Sequence, residues 1–200
     1  MHDFIYLASK SPRRALLLDQ IGVHHQSLLA DEDENVEALE AHRTSELPGK
    51  YVQRVTLSKL SAARQRLARR KGPVAPILCA DTTVALGKRI LGKPVDAAAA
   101  ADTLALLSGR THRVITAVAI TVGHRLALTV SVSHVRFAAI SKAQIARYIA
   151  SGEPFGKAGA YAVQSAAAAW VEHIEGSYSG IMGLPLYETA QLLQAARVRF

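Results

Sequence analysis

Cysteine is nearly absent: Cys79 is the one thiol in 200 residues, so no intrachain disulfide can form and a Cys-rich zinc site is excluded. A lone thiol fits a reducing compartment, and the expected setting is the cytoplasm. Long apolar runs are missing too. None approaches the roughly 18 residues of a membrane span, and Met1-His2-Asp3-Phe4-Ile5 lacks the basic and apolar regions of a signal peptide. Aromatic residues make up only 6% of the chain, leaving few rings on which bases could stack. Several catalytic signatures are absent as well. There is no Gly-x-x-x-x-Gly-Lys-Ser/Thr loop, which excludes a P-loop nucleotidase, no Gly-x-Ser-x-Gly elbow, and no His-x-x-x-His pair among the eight histidines.

Acid is missing from one stretch in particular. Between Leu47 and Ala80 stand eight basic residues, Lys50, Arg54, Lys59, Arg64, Arg66, Arg69, Arg70 and Lys71, and no Asp or Glu, whereas the rest of the chain is balanced. That block accounts for the whole net charge of +8. It points to a polyanion partner, to a site for a phosphorylated small molecule, or to a solvated helix face. What the chain does have is apolar content: half its residues are hydrophobic and a fifth charged, enough to bury a core in one domain spanning 1–200.

The pattern along the chain alternates strands and helices at first. Phe4–Ala8 reads as a buried strand, followed by a helix that Ser11 caps, Pro12 opens and Gly22 stops. A weak strand at Val23–Leu29 and an acidic turn at Asp31–Glu34 precede a helix near Tyr51–Arg70. Ile77–Ala80 is predicted as a buried strand with Asp81 at its C-terminal end, and Val84–Leu91 as a hairpin through Gly87-Lys88. Asp96 caps a helix ended by Ser108-Gly109; Val114–Val122 and Leu126–Phe137 read as a long antiparallel pair; Ser141 and Gln144 form a capping box. A late strand at Trp170–Ile174 and a helix after Pro185 complete the pattern. The expected fold is α/β: a mixed, twisted sheet with flanking helices and a second lobe, with a cleft between the lobes. Ligands in open α/β sheets sit at the carboxyl ends of strands, which places the site between the loop after Ala8 and Asp81.

Five segments carry candidate chemistry. Ser9-Lys10-Ser11-Pro12-Arg13-Arg14 puts hydroxyls and two guanidinium groups at a helix N-terminus, where bases oppose the dipole unless an anion is present. Asp81 follows an apolar run directly, so its carboxylate needs a cation, a metal or donor hydrogen bonds to stay ionised. Lys59 shares a helical stripe with Val52, Ala63 and Leu67, so its ammonium must snorkel or meet an anion. Lys93 sits in the tight turn Leu91-Gly92-Lys93-Pro94. The small-residue loops Lys157–Gln164 and Gly183–Leu186 permit close backbone approach, and Gln164 offers a donor and an acceptor to a planar ring edge. Cys79, in an apolar strand, is not expected to be a nucleophile.

In this order the segments resemble the Maf family of nucleoside triphosphate pyrophosphatases. The resemblance rests on Ala8–Arg14, the acidic 32–34 stretch, Lys59, Ala80-Asp-Thr-Thr-Val84, Gly92-Lys-Pro94, Leu107-Ser-Gly109 with His112 and Thr116, Lys157–Gln164, and Gly183–Leu186. It implies a Maf/ITPase-like fold in which Asp81 is the catalytic acid-base group and Ser9, Arg13, Arg14, Lys59 and Lys93 bind phosphate. It further implies a divalent cation (Mg²⁺ or Mn²⁺) held by Glu34 and Asp81, and a homodimer. Arg13, Thr82 and Gln164 are the set of the dTTP/UTP branch, with Thr82 and Gln164 reading the pyrimidine edge in a house-cleaning role. The chain departs from the family pattern twice. Ser165-Ala166-Ala167-Ala168 replaces a glycine-rich stretch, which should stiffen the base-side loop, and Gly156 stands where Asp commonly precedes the lysine. A competing expectation is a non-enzymatic nucleic-acid-binding protein using the basic segment 47–80.

Overall fold

The computed structural model describes every residue but Asp33, with the side chain of Glu37 also left aside; Asp33, part of the expected acidic turn, therefore lies outside the described residues. One seven-stranded mixed sheet organises the chain. Its strands are β1 (Ile5–Leu7), β2 (His25–Ser27), β3 (Ile77–Leu86), β4 (Arg89–Leu91), β5 (Thr111–Val122), β6 (Arg125–Phe137) and β7 (Val171–Glu175). The order is β2-β1-β3-β5-β6-β7, with β4 paired to β3. β1 runs parallel to β2 and β3, and the remaining pairs are antiparallel. The turns at Gly87-Lys88 and Gly123-His124 are the two-residue loops that antiparallel strands favour, each glycine having a positive φ.

The sequence reading ends the second buried strand at Ala80. In the structure it continues to Leu86, because β5 pairs with it from Ile77 to Ala85, and the β-branched run Thr82-Thr83-Val84 suits a pleated surface. Asp81 therefore lies inside a strand, opposite Ala117. The expected location of the site survives for a different reason. On the edge of β3 away from β5, β1 pairs only with Ile77 and Leu78, and β4 begins at Val84. Between them, residues 79–83 have no strand neighbour on that edge among the described residues, and this gap opens the sheet beside Asp81.

Strand alternation then assigns side chains to faces. Ile77 and Cys79 pack under helix α2 (Pro48–Arg69), with Leu60 and Ala63. Leu78 and Ala80 point to the other face and join Leu17 and Leu18 of α1 (Pro12–Gln20) and Leu192 and Leu193 of α6 (Leu186–Ala195). By the same period Asp81 faces α2 and Thr82 faces α1. Farther along, Val84 enters a separate core built from α3 (Ala97–Leu107), α4 (Lys142–Ala150), Phe137, Tyr161 and Trp170. The expected second lobe is thus a second helical core on one continuous sheet. A short helix, α5 (Tyr178–Met182), lies between these two cores and was not expected from the sequence; Ser177 caps it by accepting from the Gly180 amide at 2.9 Å. The capping box at Ser141 and Gln144 is present as read.

Phe137, fully buried, centres the second core, with edge-to-face contacts to His112, Tyr161 and Trp170 at centroid distances of 4.9, 4.8 and 6.3 Å. His112 Nε2 lies 2.8 Å from the Tyr161 hydroxyl. Burial pulls the His112 pKa from 6.5 down to about 4, against a smaller upward pull from a backbone hydrogen bond at Arg110. A depressed histidine is neutral when folded, so its contribution to stability is complete above pH 6.5 and is lost as pH falls toward 4, where the unfolded chain binds the extra proton. The full effect is on the order of 3 kcal/mol. The melting temperature of the wild type should fall between pH 7 and pH 4.5 more steeply than that of His112→Gln, and parallel curves would remove His112 from the account.

Candidate active site

A cavity of about 440 Å³ opens at the gap in the β3 edge and falls within the size range of small-molecule sites. Its walls come from the Ser9–Arg14 segment, from Lys59 and Arg66 of α2, from Asp81 and Thr82 of β3, and from Lys93. The loop Gly156–Val163 and the Ile181–Gly183 turn complete it. Seven basic residues (Lys10, Arg13, Arg14, Lys59, Arg66, Lys93 and Lys157) line it against two acids, Glu40 and Asp81. A cavity with that imbalance favours a highly charged anion.

Asp81 and Lys59 form its centre. Lys59 Nζ donates to Asp81 Oδ1 at 2.6 Å and to Glu40 Oε1, also at 2.6 Å. Their side chains keep only 13% and 11% of their surface open. Burial alone would lower the Lys59 pKa, but the facing charges of Asp81 and Glu40 outweigh it, and the net shift is upward. The ammonium is therefore held charged. Lys93 Nζ donates to the other Glu40 oxygen at 2.7 Å. Burial pulls the Glu40 pKa up, yet the charge of Lys59 and the bonds from both lysines bring it below the usual carboxylate range.

Arg14 belongs to the opposite face. Its Nε donates to Gly183 O at 2.8 Å, Nη1 to Ser9 Oγ at 3.0 Å and Nη2 to Thr82 Oγ1 at 3.4 Å. Burial lowers its pKa, an effect that the Asp81 charge partly opposes. Arg13 Nε donates to Met182 O at 3.2 Å, so both arginines are tied to the α5 turn. Ser9 Oγ accepts from Arg14 and from the Ser11 amide at 3.2 Å, which leaves its own proton for a ligand oxygen. Thr82 is different. Thr116 Oγ1 must donate to the carbonyl of Gly180 at 2.8 Å, so in the 2.9 Å contact between the two hydroxyls Thr82 is the donor. Its proton is committed, and its oxygen faces Arg14. The hydroxyl chain Gly180–Thr116–Thr82 thus orients Arg14.

Seven of the nine residues singled out from the sequence, Ser9, Arg13, Arg14, Lys59, Asp81, Thr82 and Lys93, line this one cavity. Two do not. Gln164 is exposed and off the wall, next to Val163, which lines it. The alanine run that follows forms a 3₁₀ turn over Ala166–Trp170. Glu34 turns away to a guanidinium cluster: its Oε1 accepts from Arg66 Nε at 2.9 Å and from Arg69 at 2.6 Å, and its Oε2 accepts from Arg66 Nη2 at 2.6 Å. The hydrogen bond from Arg66 is the main cause holding its pKa at about 2, against the pull of burial. As placed, Glu34 and Asp81 do not form a cation site. No group of three or more His, Cys, Asp or Glu side chains converges anywhere among the described residues. Sequence reasoning missed Glu40, which stands in a weakly patterned segment between the acidic turn and α2. It also gave no role to Thr116. Cys79 is buried, and burial pushes its thiol up to about 11, consistent with an inert side chain.

The basic block of residues 47–80 is largely spent inside the molecule. Arg54 forks onto Glu46 with two contacts of 2.7 Å, Arg66 onto Glu34, and Arg69 and Arg70 pair with Asp31. Arg64 caps the Gly123 carbonyl at 3.2 Å. Little of that charge remains as a free stripe for a nucleic acid, and the competing expectation is not favoured.

A cationic cavity at the open edge of a mixed sheet, with one lysine-held carboxylate on its central strand, defines a site for phosphoryl chemistry. The Maf-like protein family model matches residues 4–196, and the chain belongs to that family. A dTTP/UTP pyrophosphatase of Albidiferax ferrireducens is 60% identical over 98% of each chain, and one of Cupriavidus pinatubonensis is 58% identical over the full length of both. Among solved structures, a nucleoside-triphosphatase / dITP/XTP pyrophosphatase of Mycobacterium abscessus aligns over 67% of this chain and 74% of its own, at 18% identity and a TM-score of 0.44. No described helix is long and apolar enough to cross a membrane.

Proposed function

We propose that the protein hydrolyses dTTP and UTP, and modified pyrimidine nucleotides, to the monophosphate and pyrophosphate. The observation that carries this reading is the Lys59–Asp81 pair on the floor of a cavity with seven cationic residues against two acids. The names of the full-length relatives at 58–60% identity support the same substrates.

Asp81 accepts a proton from a water that attacks the α-phosphorus. The new P–O bond forms as the bond from that phosphorus to the bridging oxygen breaks, and pyrophosphate leaves with the electron pair. Arg13, Arg14, Lys59 and Lys93 hold the charge of the phosphate chain and of the leaving group, and Ser9 donates to a phosphate oxygen. As in phosphoryl transfer generally, positioning and charge stabilisation supply most of the acceleration. Arg14, oriented by Thr82 and Thr116, fixes the approach of the nucleotide, and Gln164, exposed beside the lining residue Val163, would have to turn toward the cavity to read a pyrimidine edge. A divalent cation, Mg²⁺ or Mn²⁺, would offset charge on the phosphates, with Asp81 able to contribute an oxygen ligand; Glu34 would have to leave Arg66 and Arg69 to do so. A homodimer and a cytoplasmic setting belong to the same reading.

The test is pyrophosphate release from a panel of nucleoside triphosphates with Mg²⁺. dTTP and UTP should be turned over at least tenfold faster than the purine triphosphates. Equal rates would overturn the pyrimidine assignment, and intact nucleotides throughout would overturn the activity. Nucleic-acid binding that weakens steeply with salt, without hydrolysis, would restore the competing reading.

A further inference from the structure

We propose that the free edge of β6 is a self-association surface: residues 126–132 pair with the same segment of a second copy, antiparallel across a two-fold axis at Thr129, and join the two sheets into one. The proposal rests on the homodimer of the functional reading and gives it an interface.

Three observations carry it. First, β6 is bare along most of its outer edge. β5 pairs with it from Arg125 to Arg136, but on the other side β7 covers only His134 to Phe137. Gly176, at φ +102°, then turns the chain off the sheet, and the Ser177 amide donates to Ser133 Oγ at 2.9 Å. The ladder shows which groups are left over. Phe137 N donates inward to Arg110 O and Ala138 N outward to Trp170 O, so odd-numbered β6 residues bond toward β5 and even-numbered ones away from it. The amides and carbonyls of Leu126, Leu128, Val130 and Val132 therefore face outward, with no strand beside them among the described residues. Second, this edge carries none of the usual guards. Residues 126–132 read Leu-Ala-Leu-Thr-Val-Ser-Val, with no charge, proline or glycine, whereas strands that stay single are blunted by lysine, proline or a bulge. The pairing with β5 runs on without a bulge that would twist the edge away. In a chain of net charge +8, this is a seam where two copies can meet with no ammonium or guanidinium group to desolvate. Third, the segment is complementary to itself. A two-fold axis at Thr129 sets Leu128 against Val130 and Leu126 against Val132 of the second copy on one face, and Ala127 against Ser131 on the other. Residues that bond outward then face residues that bond outward, as a hydrogen-bonded antiparallel pair demands. Leu126 and Val132, 51% and 46% exposed in the single chain, gain apolar neighbours beside Leu128 and Val130, which already pack under α2.

A strand edge asks for a strand. Apolar side chains alone could be covered by a helix or a loop, but a row of unpaired main-chain donors and acceptors is satisfied in series only by another extended segment. The match of residues 126–132 to their own reverse selects a second copy over an unrelated strand. The seam is also remote from the cavity: β5 stands between β6 and β3, and the gap beside Asp81 opens on the far edge of β3.

The experiment is sedimentation equilibrium of the full chain without nucleotide, on wild type and on the double variant Leu126→Lys/Val132→Lys, with folding checked by circular dichroism. Wild type should sediment as a dimer, and the two lysines should raise its dissociation constant at least about tenfold. Thr129→Cys gives a second readout, which keeps the test standing even if the lysine variant fails to fold. Thr129 lies on the axis as a non-hydrogen-bonded pair, where Cα atoms approach to about 4.5 Å, within disulfide reach. Mild oxidation should cross-link this variant into a covalent dimer, whereas wild type, with Cys79 buried, should not cross-link. A wild-type monomer would overturn the proposal and the homodimer alike, leaving the edge to a strand of another protein. A dimer that both lysines leave intact, and that Thr129→Cys does not cross-link, would overturn the interface alone. Neither result bears on hydrolysis, which the nucleotide panel tests separately.

Discussion

Asp81→Asn should lower the turnover of dTTP by at least about a hundredfold, the usual cost of removing a positioned general base. The amide can still accept from Lys59, so the 2.6 Å contact that holds this side chain is replaced and not simply deleted. Nucleotide binding should therefore survive, and removing one negative charge from a cavity meant for an anion should if anything tighten it. The expected signature is a collapse of kcat with KM unchanged or lower, measured by pyrophosphate release under saturating Mg²⁺. Near-normal turnover would take Asp81 out of the base role. A matched rise in KM would instead make its function the placement of Lys59.

Phe137→Ala should destabilise the fold by about 3–5 kcal/mol, the range for deleting a buried ring and leaving a cavity. Phe137 is fully buried and packs edge-to-face on His112, Tyr161 and Trp170. At this chain length each kcal/mol corresponds to about 2–4 °C, so thermal unfolding should shift by roughly 10 °C. Tyr161 and Val163 of the same core also form part of the cavity wall. Activity measured well below the new melting temperature should consequently fall as well. A small shift would show that the second core tolerates the void, and that Tyr161 takes its position from elsewhere.

Most elements of the fold were readable because local signals were strong: Ser11-Pro12 at the start of α1, the capping box at Ser141, and glycines at two hairpin turns. The site was readable to the extent that its residues violate a simple pattern. Lys59 on an apolar stripe and Asp81 after an apolar run each demand a partner of opposite charge, and in the structure each is the other's partner. What escaped was set by tertiary pairing. β3 runs past Asp81 only because β5 accompanies it, a long-range contact that leaves no mark in the Ile77–Ala80 segment. Glu40 has no periodic setting at all; its role depends on Tyr51 and Arg54 reaching back from α2 to grip its backbone. Glu34 shows the converse. The family resemblance implied a cation there, but α2 presents Arg66 and Arg69 to it, and two guanidinium groups satisfy a carboxylate without a metal.

The position of Asp81 in the middle of a ten-residue strand, hydrogen-bonded along β5, also divides the site by timescale. Central sheet backbone exchanges its amide protons only when the whole domain opens, whereas turns and short 3₁₀ segments open locally at little cost. The proton acceptor is anchored in the slowest part of the molecule, while Lys93 stands in the turn that follows β4, outside any strand or helix. Ligand entry and exit can thus draw on the turn without disturbing the aim of the group at the centre.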